Sequence, residues 1–357
     1  MEAIILVGGE GRRLRPLTDT RPKPMMPLVD RPFVTHQLDQ LRRFGVTNVI
    51  FSCGYRPEAL EGHFGDGSQI GMRVRYVVDP MPLGTAGAIK NAEPLLSGAR
   101  TLVLNGDVLT DLDISALVDQ HESAQVSGTL ALTPVEDPSR YGLVRLLADR
   151  RVEAFVEKPA AEELRPGEPY LINAGTYLLE RDVLDAIPPG ETCSIERDVF
   201  PGLAAAGRLA GFPSDSYWLD IGTPESYLQA HLDVLAGAVR TESPVGVRFL
   251  GPAARLAPGA VVGAGSTIGA ATVVGDGATV ERSVIGSDTV IGRDARVCGA
   301  IVGAGVRVGD RAEILDGVVI GDGAVIAPGL RLEGVTVATG ANVDVSSTDE
   351  EVQRGRP

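Results

Sequence analysis

From Val262 onward, aliphatic residues recur every six positions, and this period excludes most folds for the last third of the chain. A period of six fits neither an α-helix nor a simple alternating strand. It is typical of the hexapeptide repeat of a left-handed parallel β-helix, in which one aliphatic side chain per hexad points inward. The recurring positions, with two one-residue slips of phase, are Val262, Ile268, Val274, Val280, Ile285, Ile291, Val297, Val302, Val308, Ile314, Ile320 and Ile326.

The first two thirds of the chain follow a different pattern, so we expect two domains. Short apolar runs alternate there with longer amphipathic ones, which is typical of an α/β domain with a mostly parallel, Rossmann-like sheet. Strands are predicted at 48–52, 73–78 and 101–104, and a helix at 32–44. The predicted organisation is an α/β domain over 1–236, a proline-containing linker over 237–259, a β-helix over 260–345 and a charged tail over 346–357.

A glycine-rich turn follows the first apolar run of the chain. Residues 4–7 read as a buried strand, and Gly8, Gly9 and Gly11 come directly after it. A turn of this kind can present backbone N–H groups to an anion, and basic side chains at Arg13 and Lys23 add positive charge beside it. We interpret the segment as a nucleoside triphosphate site; the alternative is a glycine turn with a solvated basic rim.

Two other glycine-rich nucleotide motifs do not fit this turn. A Walker A loop requires Gly-Lys-Ser/Thr after its second glycine, whereas Arg12 and Arg13 follow Gly11. A dinucleotide-binding fingerprint requires a third glycine and an immediate helix, and the proline-rich run over 16–27 precludes that helix.

The motif Leu-x-Gly-Gly-x-Gly-x-Arg-Leu-x-Pro-Leu-Thr over 6–18, followed by Pro-Lys-Pro over 22–24, resembles the signature of the sugar-1-phosphate nucleotidyltransferases. It is most similar to their mannose-1-phosphate guanylyltransferase branch. The resemblance implies transfer of a nucleoside monophosphate from an NTP, with GTP favoured, to a sugar 1-phosphate, with mannose 1-phosphate favoured. One residue departs from the pattern: Arg12 stands where the family usually has Thr.

Acidic residues follow two other predicted strands. Asp107 comes after the strand at 101–104, and Asp220 lies at a strand end before a helix. Mg²⁺ takes one or two protein carboxylates and fills its shell with phosphate oxygens and water. Each residue alone is more often a turn or cap residue than a ligand, and it is the resemblance that pairs them on one Mg²⁺.

The resemblance also implies the remaining site residues. The implied nucleotide-binding residues are Leu6, Gly8, Gly9, Gly11, Arg13, Lys23, Leu83, Gly84, Thr85, Gly106 and Asp107. The implied sugar-phosphate residues are Gly142, Glu157, Lys158 and Asn173, which we expect at turns where strands end. Arg13, Lys23 and Lys158 are the implied catalytic residues, and Lys suits a phosphate as a point charge.

Three alternatives remain for the function. The same chemistry with another NTP, or with glucose 1-phosphate or a cyclitol phosphate such as valienol 1-phosphate, leaves the motifs unchanged. A non-catalytic regulatory subunit would have the same architecture. A hexapeptide acyltransferase is disfavoured because its general base is a histidine, and His36, His63, His121 and His231 all lie outside the repeats. We therefore expect the β-helix to serve structure or assembly, and the chain to form a homo-oligomer through it.

Charge and cysteine content limit the partners and the compartment. A net charge of −14 argues against a general nucleic-acid binder, which needs a basic face. The chain has no apolar run of eighteen residues, so no membrane partner is expected. Cys53, Cys193 and Cys298 are odd in number and widely spaced, which is typical of reduced thiols in a cytoplasmic protein.

Overall fold

The computed structural model describes residues 1–54, 56–164, 169–347 and 352–354. By the density of internal contacts, the chain divides into two compact units. The first contains Met1–Gly9 and Gln37–Trp218. The second contains Glu10–His36 and the chain from Leu219 onward.

The strands before residue 221 are Glu2–Leu6 (β1), Pro27–Leu28 (β2), Arg31–Pro32 (β3), Asn48–Cys53 (β4), Arg73–Val78 (β5), Arg100–Asn105 (β6), Val108–Thr110 (β7), Gly128–Val135 (β8), Gly142–Leu146 (β9), Val152–Glu157 (β10), Tyr170–Glu180 (β11), Leu209–Pro213 (β12) and Trp218–Asp220 (β13). The α-helices are Phe33–Arg43 (α1), Pro57–Phe64 (α2), Gly84–Ala92 (α3), Ile114–Ala124 (α4), Arg181–Asp185 (α5), Phe200–Ala205 (α6) and Pro224–Ala236 (α7). Single 3₁₀ turns lie at Arg12–Leu14, Lys23–Met25, Ser68–Ile70, Glu93–Leu95 and Ala161–Glu163, and a π-helical turn lies at Ile195–Val199.

The first unit is built on one mixed sheet. Its parallel half has the order β5-β4-β1-β6, in which Ile4 pairs with Ile50 and with Val103. Strands β1, β4 and β6 are mostly apolar, as is typical of a parallel sheet covered on both faces, and these three residues are completely buried. Beyond β6, the strands β11, β9 and β10 continue the sheet in antiparallel pairs. Strand β8 pairs antiparallel with β11 and parallel with β12. The parallel core confirms the predicted Rossmann-like fold, and the predicted strands and helix lie within two residues of the observed ones.

The second unit contains stacked short strands. They are Arg248–Leu250 (β14), Arg255–Leu256 (β15), Val261–Val262 (β16), Ser266–Ile268 (β17), Val273–Val274 (β18), Thr279–Glu281 (β19), Val284–Ile285 (β20), Val290–Ile291 (β21), Arg296–Cys298 (β22), Ile301–Val302 (β23), Arg307–Val308 (β24), Glu313–Ile314 (β25), Val319–Ile320 (β26), Val325–Ile326 (β27), Arg331–Leu332 (β28), Val335–Val337 (β29), Asn342–Val343 (β30) and Val352–Arg354 (β31). Every third strand falls in the same sheet, which gives three sheets whose strands from β14 to β30 pair in parallel.

The hexad residues form the interior of this coil. All twelve predicted aliphatic positions are at most 3% exposed, and they pack on one another in a single core. The chain turns at left-handed corners that also recur every six residues, for example at Ala271, Gly277, Asp288 and Asp294. Where the aliphatic phase slips, so does the corner, which falls at Arg282 instead of at 283. This arrangement is consistent with the predicted left-handed β-helix.

The structure differs from the predicted boundaries at both ends of the coil. The stacked strands begin at Arg248, inside the predicted linker, because Leu250 and Leu256 continue the six-residue spacing. At the other end, β31 lies within the predicted tail and pairs antiparallel with β29; the other residues after 347 lie outside the described part of the chain. Among the described residues, no helix is long and apolar enough to span a bilayer.

Candidate active site

In the first unit, three loops meet where β1, β4 and β6 end. The amide of Val7 donates to the Ser52 carbonyl at 2.9 Å, and the amide of Gly106 donates to the Leu6 carbonyl at 2.9 Å. A Cβ added at Gly106 would lie 2.6 Å from that same carbonyl oxygen, so no larger residue fits there without a shift. A Cβ at Gly54 would lie 2.8 Å from the Gly8 carbonyl oxygen, whereas a Cβ at Gly8 would make only ordinary contact with Gly54. The predicted residues Leu6, Gly8 and Gly106 are thus brought together.

The half-buried Asp107 lies in the turn between β6 and β7. This turn is held by Gln37, whose side-chain amide donates to the carbonyls of Asn105 at 2.8 Å and Val108 at 3.0 Å. Gln37 was not predicted from the sequence. In the sequence, the only indication is that Gln37 is a polar residue on the predicted helix at 32–44, one face of which is apolar. The turn is therefore fixed on both sides of Asp107 by one buried side chain.

The loop that opens α3 is joined to residues 193–196. The Cys193 amide donates to the Leu83 carbonyl at 2.8 Å, and the Cys193 carbonyl accepts from the amides of Ala86 and Gly87 at 3.0 and 3.2 Å. Gly84 has a φ of +71°, and a Cβ there would lie 2.6 Å from the Cys193 carbonyl. Leu83, Gly84 and Thr85, predicted to bind the nucleotide, therefore sit on a loop that a distant segment holds rigid.

The Thr85 hydroxyl is engaged within this connection. It donates to the Glu196 carboxylate at 2.6 Å and accepts from the Ile195 amide at 2.9 Å. Ser194 donates to the same Glu196 oxygen at 2.8 Å. Ile195–Val199 is the π-helical turn, a local geometry common at functional sites. Glu196 was not predicted from the sequence; its signal there is the charged run over 196–198, which follows neither the helical nor the strand period.

The predicted sugar-phosphate residues Gly142, Glu157 and Lys158 lie together in the first unit. Gly142 pairs with Glu157 across β9 and β10. A Cβ at Gly142 would lie 2.6 Å from the Phe155 ring and 3.1 Å from the Glu157 carboxylate, so glycine is required for this close approach. Lys158 follows β10 with a φ of +53°, and its amide donates to the Tyr141 carbonyl at 2.9 Å. Glu157 and Lys158 thus lie where the strand ends, as predicted.

Asn173 does not lie at a strand end, contrary to the prediction. It sits inside β11, where the pairing with β8 shifts register between Asn173 and Tyr177. The bulge exists because Gly175 adopts a φ of +73° and donates its amide to the Asn173 carboxamide oxygen at 3.0 Å. The Asn173 amide nitrogen donates to the Tyr177 hydroxyl at 3.0 Å. A bulge re-aims a side chain within a strand, and here it brings the Asn173 side chain to the Tyr177 hydroxyl and the Gly175 amide.

The acids of this region influence one another. Burial raises the pKa of the Glu157 carboxyl, and the negative charge of Glu196 raises it further. The positive charges of Lys158 and Arg197 oppose that increase in the Glu157 pKa. The charges of Glu157 and Glu196 therefore oppose each other, and the charges of Lys158 and Arg197 partly offset that repulsion.

In the second unit, two cations point at one carboxylate. The Arg13 guanidinium lies 3.8 Å from one oxygen of Asp220, and the Lys23 ammonium lies 3.7 Å from the other. The Lys23 side chain is only 9% exposed, whereas that of Arg13 is 57% exposed. Gly11 turns the chain before Arg13, and its carbonyl accepts from the Thr18 hydroxyl at 2.9 Å. Arg13, Lys23 and Asp220 thus form one group.

Arg12, the residue that departs from the family pattern, is turned toward solvent. Its guanidinium donates to Glu10 at 2.7 Å, and the side chain is 76% exposed. The added charge is therefore largely matched by a neighbouring carboxylate.

Gly9, the remaining predicted glycine, is exposed, and a Cβ there would meet no atom within 4 Å. In the described residues, no three Asp, Glu, His or Cys side chains gather into a metal-binding cluster. One or two carboxylates are the donor set that suits Mg²⁺ when phosphate oxygens and water supply the rest.

Known protein families match both parts of the chain. The Nucleotidyl transferase family model matches residues 2–237, and the GMPPB C-terminal domain model matches residues 245–352. A mannose-1-phosphate guanylyltransferase of Mycobacterium tuberculosis is 42% identical over 66% of this chain and 65% of its own length, which is just under two thirds. The catalytic subunit beta of a Dictyostelium discoideum mannose-1-phosphate guanylyltransferase is 34% identical over 71% of this chain and 70% of its own length.

One solved structure shares part of the fold. The crystal structure of HddC from Yersinia pseudotuberculosis complexed with GMP-PN is 28% identical, with a TM-score of 0.55. The likeness covers 65% of this chain and 99% of that protein. Taken with the glycine turn, the two-cation group and the family models, these likenesses show that this chain belongs to the nucleotidyl transferase family.

Proposed function

We propose that this chain transfers a guanylyl group from GTP to mannose 1-phosphate and releases pyrophosphate. One observation carries the proposal: in a chain of this family, a nearly buried lysine and an arginine from the segment that follows the glycine turn converge on Asp220. A buried cation beside backbone amides suits a triphosphate. The guanine base and the mannose acceptor are supported by the relatives' names.

The reaction is an in-line displacement at phosphorus. A phosphate oxygen of mannose 1-phosphate forms a bond to the α-phosphorus, and the bond from that phosphorus to the bridging oxygen breaks, so that pyrophosphate leaves. Such chemistry asks the protein for positioning and charge neutralisation. No general base is needed, because a phosphate monoester is already anionic at neutral pH.

The residues divide this work as follows. The amides over 8–11 and the Arg13 guanidinium hold the β- and γ-phosphates that become pyrophosphate. Lys23 neutralises the α-phosphate, and Lys158 aligns the attacking phosphate. Glu157 and Asn173 bind sugar hydroxyls, since a carboxylate accepts and an amide both donates and accepts.

The guanine base is assigned to the loop that carries Leu83, Gly84 and Thr85. The Thr85 hydroxyl already bonds within the protein. We therefore assign recognition of the base to the backbone of this loop and not to that side chain.

A divalent metal is general in this family, and we propose that it is Mg²⁺. The pairing of Asp107 and Asp220 on this ion rests on the family resemblance and on the suitability of carboxylates for Mg²⁺. Bound there, the ion would neutralise phosphate charge. The protein's own cations, Arg13 and Lys23, supply the remaining neutralisation.

Pyrophosphate release tests the proposal. GTP, ATP, UTP and dTTP are each combined with mannose, glucose and a cyclitol 1-phosphate in the presence of Mg²⁺. We expect release with GTP and mannose 1-phosphate, and a loss of roughly 10²–10³-fold in Asp107→Asn and in Asp220→Asn, as for the removal of one transition-state contact. Asp215→Asn is the control, because Asp215 is an exposed acid near Asp220 in sequence.

The other outcomes identify the alternatives. Release with another NTP or another acceptor would keep the mechanism and change the substrate. If the folded protein releases no pyrophosphate with any substrate pair, that result would favour a non-catalytic regulatory subunit.

We also propose that the chain forms a homo-oligomer through its β-helix and is cytoplasmic. Val273 and Val290 are neighbours on an outward face of the coil and are 36% and 39% exposed. Val325, 37% exposed, lies on the same sheet beyond Arg307, so this face offers exposed apolar side chains to another copy. Sedimentation of the wild type and of Val290→Lys tests the assembly. The cytoplasmic location is supported by the number and spacing of the cysteines.

A further inference from the structure

The segment Glu10–His36, which carries Arg13 and Lys23, packs on the β-helix. Side chains of the segment and of α7 cover an outward-facing apolar row of the coil. The cluster consists of Leu14, Leu17, Met26 and Tyr227 against Val284, Ile301 and Val319. The covered residues of the coil are at most 6% exposed, although they point away from its interior. One apolar face of the coil is therefore covered in part by the segment Glu10–His36.

Polar contacts fix the middle of the segment more closely. The Asp322 carboxylate accepts from the Arg21 guanidinium at 2.8 Å and from the Thr20 hydroxyl at 2.5 Å. Its other oxygen accepts from the Ala304 amide of the coil at 2.8 Å. The Thr339 hydroxyl donates to Asp19 at 3.2 Å. One carboxylate thus joins two neighbouring turns of the coil to the segment.

These contacts lie between the glycine turn and Lys23. Apart from the 3₁₀ turns at Arg12–Leu14 and Lys23–Met25, residues 12–25 have no regular structure of their own. A segment without its own hydrogen-bond ladder loses much conformational entropy when it is ordered, so its geometry depends on outside contacts. Arg21 is two residues from Lys23, so an anchor at Arg21 restrains the lysine backbone directly.

We propose that Asp322 is a positioning residue for the triphosphate site: through Thr20 and Arg21 it holds the segment so that Arg13 and Lys23 are pre-aligned for the phosphates. Pre-alignment favours binding because less ordering remains to be done when the ligand arrives. The β-helix then contributes to catalysis as well as to structure. This inference rests on the proposed function, since it concerns the binding of the NTP.

The coil supplies a matched control residue. Asp310 occupies an equivalent corner, where its carboxylate accepts from the Arg293 amide at 2.8 Å. Asp322 makes the same contact to Ala304 and adds the two contacts to the segment. Asp310→Ala therefore removes the corner hydrogen bond alone, and Asp322→Ala removes that bond together with the anchor.

Kinetics and hydrogen exchange test the inference. We expect Asp322→Ala to weaken GTP binding and raise its KM about tenfold, the effect of one lost hydrogen bond to a charged group, while the KM for mannose 1-phosphate stays unchanged. Arg21→Met, which leaves the coil intact, should do the same. Asp310→Ala should change neither KM. Peptides covering residues 11–25 should exchange backbone hydrogens faster in Asp322→Ala than in Asp310→Ala.

The outcomes separate this inference from the proposed function. If wild type releases no pyrophosphate with any substrate pair, the proposed function fails, and hydrogen exchange still tests whether Asp322 restrains the segment. If both aspartate variants and Arg21→Met match wild type in GTP binding and in exchange over 11–25, the inference is overturned. A rise in both KM values would also overturn it, because a general loss of stability would explain that result.

Discussion

Glu157 is subject to two opposing requirements at the scale of a single side chain. In its proposed role Glu157 accepts hydrogen bonds from sugar hydroxyls best when ionised, yet burial and the neighbouring charge of Glu196 both raise its pKa. Lys158 and Arg197 lower that pKa. The balance sets the acid limit below which Glu157 is protonated and loses acceptor capacity.

Replacing Glu196 by Gln should move that acid limit. Gln removes the negative charge but still offers an oxygen to the Thr85 hydroxyl. The pKa of Glu157 should fall, so the acid limb of kcat/KM for the sugar phosphate should shift to lower pH. A pH profile checks this, and the sign is fixed: removal of a negative neighbour makes ionisation easier. Glu153→Gln, an exposed acid on the same strand, should leave the limb in place. An unshifted limb in Glu196→Gln would contradict the prediction.

The same residues show what sequence can predict at this scale. Glu157 and Lys158 were predicted because they follow a strand within a recognisable motif. Glu196 and Gln37 were not, because their roles arise from contacts with residues 111 and 68 positions away. A contact between a polar residue and a loop so distant in sequence produces no periodic pattern, so the contact can be recognised only in the folded structure.

At the scale of elements, the loop over 83–87 depends on the π-helical turn. The Thr85 hydroxyl is the connection, because it bonds to a carboxylate and an amide of the turn. Thr85→Val keeps the shape and removes both hydrogen bonds. We expect it to lower the free energy of unfolding by about 1–3 kcal/mol and to weaken GTP binding. Urea denaturation and GTP titration check this. Thr85→Ser retains the hydroxyl and should resemble wild type; equal losses in both variants would refute the hydrogen-bond explanation.

The β-helix was the element most completely predicted, because its period is set by the interior alone. Each coil buries one aliphatic side chain per face, so the spacing alone identifies the inward residues. Its first turn was missed although Leu250 and Leu256 keep the spacing. These two side chains are 40% and 36% exposed, because the terminal turn of a coil is covered on one side only. Nearby prolines led us to predict a linker there.

Adjacent residues on β21 provide a paired test of that interior. Ile291 points inward and is 1% exposed, whereas Val290 points outward and is 39% exposed. Ile291→Ala should lower the free energy of unfolding by about 2–5 kcal/mol, because it leaves a cavity in a packed column. At concentrations where the chain is monomeric, Val290→Ala should change it by less than about 0.5 kcal/mol. Thermal denaturation of both variants checks the difference, and similar effects would mean that the coil interior is not packed as described.

At the scale of the whole molecule, the predicted domains and the compact units are not the same. The sequence places residues 10–36 in the α/β domain because they continue directly from the first strand. The structure groups them with the chain from Leu219 onward, since Leu14, Leu17 and Met26 are buried against the coil. Sequence order could not show this, because the apolar residues of an irregular segment carry no period that points to a partner.

A chain that ends at residue 236 should therefore fold poorly, although it matches the predicted domain boundary. The cut removes Val284, Ile301 and Val319, so the side chains that pack on them become exposed. Each newly exposed aliphatic side chain costs roughly 1.5–3 kcal/mol, and three such losses are comparable to the stability of a whole domain. We expect a lower melting temperature, binding of a hydrophobic dye and weaker affinity for GTP.

A chain that ends at residue 345 is the matched control, because it keeps the coil strands through β30 and should retain the full-length affinity for GTP. In the shorter chain, the double variant Leu17→Gln, Met26→Gln should bind less dye, because less apolar surface is exposed. It should not regain the affinity for GTP, because the segment Glu10–His36 still lacks the coil that holds it in place. If the shorter chain instead melts and binds GTP like the full-length protein, the segment Glu10–His36 does not need the coil, and the predicted boundary at 236 is the physical one.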